Sequence, residues 1–222
     1  MSEPKKHDRV NDILLGPLER PAIQWFCEHM PAWVTPDILT LIGILSSFVI
    51  FFGYFLSNEH PAFLWLASLG FVINWFGDSL DGSLARFRKI ERPQYGFFID
   101  HTVDAFSQVL IFTGIGLSPY ITFDIAIMML VGYLLISVYV YVDTYVTGIF
   151  QISYGKLGPT EIRAVAVLLN ICFFIWAKPT VELWFGAVSI YDIVAVAIGV
   201  ILYSIFIYSV TSRALELRRI GK

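Results

Sequence analysis

The chain has 222 residues, of which 57% are hydrophobic and only 15% charged, against about 25% charged in soluble domains. So much apolar surface exceeds what one soluble core can hold and excludes disordered, collagen-like and disulfide-scaffold classes, leaving an integral membrane protein. A net charge of −3 excludes a broadly cationic nucleic-acid binder, and the distant Cys27 and Cys172 offer neither a disulfide framework nor a CxxC metal site.

The N-terminal stretch carries Glu3, Lys5, Lys6, Asp8, Arg9 and Asp12 ahead of any apolar run, unlike a cleaved signal peptide, and is expected to be retained. From Val10 to Met30, Ile13, Leu14, Leu18, Ile23, Trp25 and Phe26 alternate with Glu19, Arg20 and Glu28, while Pro17 and Pro21 interrupt. This pattern predicts short amphipathic helical pieces on the membrane surface. A membrane helix needs about 20 mainly apolar residues. The runs near 37–57, 61–84, 97–117, 124–150, 161–177 and 190–212 then predict an all-α protein of six transmembrane helices, with residues 1–35 as its juxtamembrane segment and 36–222 as its domain. Ser57 to Pro61, Arg92-Pro93, Ser118-Pro119, Gly155 to Pro159 and Lys178-Pro179 supply the turns.

With the N-terminus inside, 14 of the 15 Lys and Arg residues fall on the inner side and only Lys178 falls outside. That bias predicts cytoplasmic N- and C-termini, with a bacterial inner membrane as the expected location. Trp25, Trp33, Trp65, Trp176 and Trp184 read as interfacial anchors, and Arg213, Arg218 and Arg219 as contacts to anionic headgroups.

The most informative stretch is Asp78-x-x-Asp81-Gly82-x-x-Ala85-Arg86, followed after nine residues by Gly96-x-x-x-Asp100-His101-x-x-Asp104. At about 100° per residue, Asn74, Asp78, Asp81, Gly82 and Ala85 share one face of the second span, and Gly96, Asp100, Asp104 and Ser107 one face of the third. Two antiparallel helices with a short turn can pool all four acids. Carboxylates at a membrane interface cost several kcal/mol each unless paired, hydrated or bound to a cation. An all-oxygen set favours Mg²⁺ or Mn²⁺, which commonly bridge carboxylates to phosphate oxygens. Gly82, Ala85 and Gly96 leave room for a substrate, and Arg86 beside them is a phosphate-binding candidate. A turn of salt bridges to Arg86, Arg88, Lys89 and Arg92 is the plain alternative, and an ion-coupled transporter or cation channel another; no inverted repeat supports the transporter.

These residues match at every fixed position the D-x-x-D-G-x-x-A-R … G-x-x-x-D-x-x-x-D signature, and the chain resembles the CDP-alcohol phosphotransferases. The linker between Arg86 and Gly96 is about one residue longer than the family pattern. Pro36-Asp37-Ile38-Leu39-Thr40 resembles the family's P-N-x-x-T segment, with Asp37 in place of Asn. The resemblance covers about four fifths of the chain. It implies a homodimeric enzyme that transfers a CDP-linked group to an alcohol and releases CMP. It also implies that Asp78, Asp81 and Asp100 hold the metal, that Asp104 is ligand, general base or both, and that Gly82, Ala85, Arg86 and Gly96 line the nucleotide and phosphate.

Two features resemble the choline and ethanolamine phosphotransferase branch: His101 in D-H-x-x-D, a second candidate base, and the segments Thr144-Tyr145-Val146-Thr147-Gly148 and Gly158-Pro159-Thr160-Glu161. Thr160 and Glu161 read equally as a helix N-terminus. Asp143, deep in the fourth span, calls for a partner such as Arg163, and Asp143, Glu161 and Arg163 are candidates for the acceptor pocket. Two reactions stay open within the family. CDP-choline or CDP-ethanolamine donating to diacylglycerol requires an apolar lateral opening near Asp104. CDP-diacylglycerol donating to a small polar alcohol requires a polar, basic pocket, for which Arg163 and Lys156 are the nearby cations. Gly114 and Gly116 read as helix-packing positions.

Overall fold

Each apolar run folds as one helix in the computed structural model, which describes residues 8–10, 14–151, 158–184 and 186–221. A surface helix α1 (Gly16–His29) precedes α2 (Pro36–Leu56), α3 (Phe63–Phe87), α4 (Pro93–Gly116), α5 (Phe123–Thr147), α6 (Pro159–Trp176) and α7 (Ile190–Arg219). Proline opens α2, α4 and α6, where its missing N–H costs nothing. Gly148, at φ 78°, ends α5 in the left-handed conformation. The N-terminal segment departs from expectation in being one continuous helix. Pro17 falls in the first turn of α1, and Pro21 removes a single backbone bond without breaking it.

Among the described residues five helices, α2, α3, α5, α6 and α7, are long and apolar enough to cross a membrane. The sixth expected span, α4, has the length at 24 residues. It is not among the five, because Asp100, His101, Asp104, Ser107 and Gln108 interrupt its apolar run. At 1.5 Å per residue the 30 residues of α7 reach about 45 Å, half as long again as the hydrocarbon layer of a bilayer. Two short ribbons accompany the helices. β1 (Asp8–Val10) pairs in parallel with β2 (Ile149–Gln151), and β3 (Thr180–Leu183) forms an antiparallel hairpin with β4 (Gly186–Ser189) ahead of α7.

The helices pack in the order α6, α3, α2, α4, α5, α7, with α1 against α3. The α2–α3 contact is set by close approach: a Cβ at Gly77 would lie 2.6 Å from the backbone N of Gly43 and from the carbonyl O of Leu39. Likewise a Cβ at Gly114 would lie 2.9 Å from the Cα of Phe51, as expected of a packing position. At the end away from the α3–α4 turn, Tyr120 stacks on Phe173 at 4.7 Å and Phe173 meets Tyr191 edge-on at 4.5 Å. Inside the bundle, the Tyr54 hydroxyl donates to Asn170 (2.8 Å), whose amide donates to Ser68 (3.1 Å), joining α2, α6 and α3. In hydrocarbon such polar groups stay satisfied only by one another, so this network holds the three helices together.

A cluster around one carboxylate docks α1. Glu19 Oε1 accepts from Trp75 Nε1 (3.0 Å), Ser79 Oγ (3.1 Å) and Thr160 Oγ1 (2.9 Å), tying α1 to α3 and α6. Trp75 is thus a structural tryptophan. The five expected anchors, Trp25, Trp33, Trp65, Trp176 and Trp184, are all exposed.

Candidate active site

The acids expected to pool do so. Asn74, Asp78 and Asp81 from α3 and Asp100, Val103, Asp104 and Ser107 from α4 line one narrow recess, bounded also by Thr40 and Gly43 of α2. Carboxylate oxygens of Asp78, Asp100 and Asp104 lie within 4.8 Å of one another. The fourth acid is held differently. Asp81 accepts from Thr40 Oγ1 (2.7 Å) and from the backbone N–H of Gly82 (2.5 Å), which orients it along the recess wall beside the other three. Thr40 reaches Asp81 because Gly77 lets α2 lie against α3, and because Pro36 starts α2 one turn earlier.

Three carboxylates converging within 4.8 Å, half-buried at the end of apolar helices, repel one another and are costly to desolvate. A hard divalent cation relieves both effects, and the all-oxygen donor set suits Mg²⁺ or Mn²⁺. The residues present therefore fit such an ion, with Asp78, Asp100 and Asp104 as the closest set and Asp81 adjoining.

The salt-bridge alternative loses two of its cations. Arg88 donates to the backbone carbonyls of Val34 (2.5 Å), Met30 (2.9 Å) and Pro31 (2.9 Å), fixing the α1–α2 linker. Arg92 forms an ion pair with Asp37 and lies 4.1 Å over the ring of Tyr95. Asp37, where the family pattern has Asn, is thus used at the exposed rim. Arg86 is exposed and donates to Ser83 Oγ at 3.1 Å, one turn from Gly82. Gly96 is exposed with open space where a Cβ would stand, and Ala85 is half-buried, so this side of the recess is open to an incoming ligand.

Three expected placements change. Arg163 does not pair with Asp143: its Nη2 donates to Asp78 Oδ2 (2.6 Å) and its Nε to Asn74 Oδ1 (2.8 Å), so it belongs to the acid recess. Asp143 pairs instead with Arg213, Nε to Oδ1 at 2.6 Å and Nη2 to Oδ2 at 3.1 Å. Arg213, expected at headgroups, thereby ties α7 to α5, and it also pairs with Glu216 one turn on along α7 at 2.6 Å. Glu161 accepts from Leu15 N (2.7 Å) and Gly158 N (2.9 Å), serving as the cap of α6 and a tie to α1. Lys156 lies outside the described residues.

His101 stacks on Tyr141 of α5 with ring centroids 4.8 Å apart, and its Nδ1 is 3.6 Å from Asp100 Oδ2. The ring packs toward α5 and does not line the recess, whereas Asp104 does. A second, more open hollow of about 160 Å³ lies between α3 and α6, lined by Phe71, Val72, Trp75, Thr160, Ala164 and Val167, with Arg163 shared between it and the acid recess. The roles of Thr40, Asn74 and Glu19 went unread in the sequence. Their signal was a single polar residue at one-turn spacing from an acid or in an apolar helix.

Residues 33–210 match the family model described as CDP-alcohol phosphatidyltransferase, and those residues carry the recess entire. The chain belongs to this family. It is 28% identical over 186 residues to cholinephosphotransferase 1 of Gallus gallus, covering 78% of this chain and 53% of that protein. It is 32% identical over 105 residues to archaetidylinositol phosphate synthase of Pyrococcus horikoshii, covering 47% and 52%. It is 40% identical over 87 residues to phosphatidylinositol phosphate synthase of Cutibacterium acnes, covering 39% of each. The chain spans about half the length of the first two and less of the third.

Proposed function

We propose that this chain transfers a phosphate-linked group from a CDP-linked donor to an alcohol within membrane phospholipid biosynthesis, releasing CMP, with the acid recess as its active site on the cytoplasmic side. The observation that carries the reading is the convergence of Asp78, Asp100 and Asp104 within 4.8 Å, with Asp81 oriented by Thr40 in the same recess. Gly82, Ala85, Arg86 and Gly96 border the open side, where the cytidine and its phosphates are received. Asp78, Asp100 and Asp104, with Asp81 beside them, would hold a divalent ion, which when bound would supply charge stabilisation to the diphosphate. Asp104 accepts the proton of the acceptor hydroxyl, since it lines the recess while His101 packs against Tyr141. Arg163 of α6 bonds Asp78 and is itself held by Asn74 of α3.

The acceptor we favour is diacylglycerol, with CDP-choline or CDP-ethanolamine as donor. Arg163, the cation that α6 brings to the acids and that could hold an acceptor phosphate, is engaged by Asp78 of the chain itself. The apolar hollow between α3 and α6 adjoins the recess at Arg163, as a bilayer-borne acceptor requires. The similarity to cholinephosphotransferase 1 also extends over most of the chain. The second reading, CDP-diacylglycerol donating to a small polar alcohol, draws on the higher local identity to the two inositol phosphate synthases.

The test is CMP release by the purified protein with Mg²⁺ or Mn²⁺. One arm offers CDP-choline or CDP-ethanolamine with diacylglycerol, the other CDP-diacylglycerol with inositol phosphate, serine or glycerol phosphate. Activity confined to the first arm supports the favoured acceptor, and activity confined to the second replaces it. Cation flux without CMP release in either arm overturns the enzyme reading in favour of a channel or carrier. Cross-linking in native membranes tests the homodimer.

A further inference from the structure

Arg163, near the N-terminus of α6, is a largely buried cation. Its side chain is 13% exposed, and it spans from α6 to α3 to reach Asp78 Oδ2 at 2.6 Å. Asn74 fixes it from behind, accepting from Arg163 Nε at 2.8 Å while donating to the carbonyl O of Gly43 at 3.0 Å. Three helices thus combine to hold one guanidinium against one of the three convergent carboxylates. Asn74 lies one turn before Asp78 on α3, so the same helix face presents both the acid and the acceptor that aims the arginine at it.

The charge arithmetic gives this arrangement a role. Four carboxylates line the recess. A fixed guanidinium on Asp78 offsets part of that charge in the protein alone, and it opposes any further cation drawn to the same oxygens. We infer that Arg163 is a resident counter-cation that weakens divalent-metal binding at Asp78, Asp100 and Asp104, and that Asn74 is the positioning residue that keeps it there. A site so tempered binds and releases its ion more readily than four unopposed acids would. The inference rests on the reading of these acids as a metal-holding set.

The experiment measures Mn²⁺ binding directly, by the electron paramagnetic resonance signal of the free ion, on the purified full-length chain without nucleotide or lipid. Arg163→Gln removes the charge and is expected to bind Mn²⁺ about tenfold more tightly than the unaltered protein, a change of about 1.4 kcal/mol. Arg163→Lys keeps the charge but loses the fork to Asn74 and Asp78, and is expected within about threefold of the unaltered protein. Asn74→Ala, which leaves the guanidinium in place but unaimed, is expected to tighten binding by a smaller factor than Arg163→Gln.

Weaker binding in Arg163→Gln would show that the arginine only orients Asp78 and would overturn the inference. Equal tightening in Arg163→Lys would also overturn it, because the charge would then not be the cause. An unaltered protein that binds no Mn²⁺ would overturn both this inference and the metal reading beneath it, whereas binding that none of the variants changes would overturn this inference alone.

Discussion

Replacing Thr40 with valine removes one hydroxyl and almost nothing else, since the two side chains have nearly the same shape. In the structure that hydroxyl lies 2.7 Å from Asp81 Oδ2 and 3.1 Å from the carbonyl O of Pro36, and its single proton serves the nearer, anionic acceptor. A hydrogen bond to a charged group contributes about 1.5–3 kcal/mol. Asp81 would keep the Gly82 N–H at 2.5 Å but lose the contact that fixes its second oxygen along the recess wall. If that contact is needed in full at the transition state, kcat/KM for CMP release falls by about 10- to 150-fold in Thr40→Val, at one decade per 1.4 kcal/mol. The loss should be partly recovered in Thr40→Ser, which keeps the donor. The assay is initial-rate CMP release at saturating Mg²⁺, with circular dichroism and thermal unfolding in the same detergent as a folding control. A Thr40→Val protein that folds normally and keeps more than half its kcat/KM would refute the claim that α2 orients Asp81 for the reaction.

Gly77→Ala places a Cβ 2.6 Å from backbone atoms of Gly43 and Leu39, so α2 and α3 must separate. Overpacking of this kind costs about 1–3 kcal/mol, and the variant should lose both melting temperature and CMP release. Asp143→Asn should lower stability by about 2 kcal/mol, because Arg213 loses its buried anion and keeps only the exposed Glu216 on its own helix. Asp143→Leu combined with Arg213→Met should restore most of that melting temperature, and a double-mutant cycle checks it. Glu161→Ala removes the acceptor of the Leu15 and Gly158 N–H groups and should cost about 1–2 kcal/mol in thermal unfolding. The KM for the acceptor should stay within about twofold, since both oxygens serve helix α6 and the α1 tie.

Much of the site was legible because its information is local. Asp78 and Asp81 on α3 and Asp100 and Asp104 on α4 are joined by a short turn, so helical periodicity alone places them in one recess. The boundaries of α2 to α6 follow to within a few residues from composition and proline placement in the same way. Pairings across distant helices carry no such local signal. Arg163 lies far closer in sequence to Asp143 than to Asp78, and only the packing of α6 on α3 assigns it to Asp78. Arg213 looked like a headgroup contact because it ends an apolar run, yet the packing of α7 against α5 brings it to Asp143. The continuity of α1 was hidden by two prolines whose positions in the helix were unknown. The span at α4 shows the reverse conflict: the polar residues that make the recess are those that lower its apolar character.

The central claim is that the acid recess performs group transfer from a CDP-linked donor. The measurement that tests it most directly follows label from the phosphate adjoining the alcohol of the CDP-linked donor into a lipid phosphodiester while counting CMP, in the unaltered protein and in Asp104→Asn. The account predicts one CMP for each labelled lipid in the unaltered protein and a loss of at least about a hundredfold in Asp104→Asn, within the usual range for a removed general base. Labelled lipid formed at an undiminished rate by Asp104→Asn would contradict it.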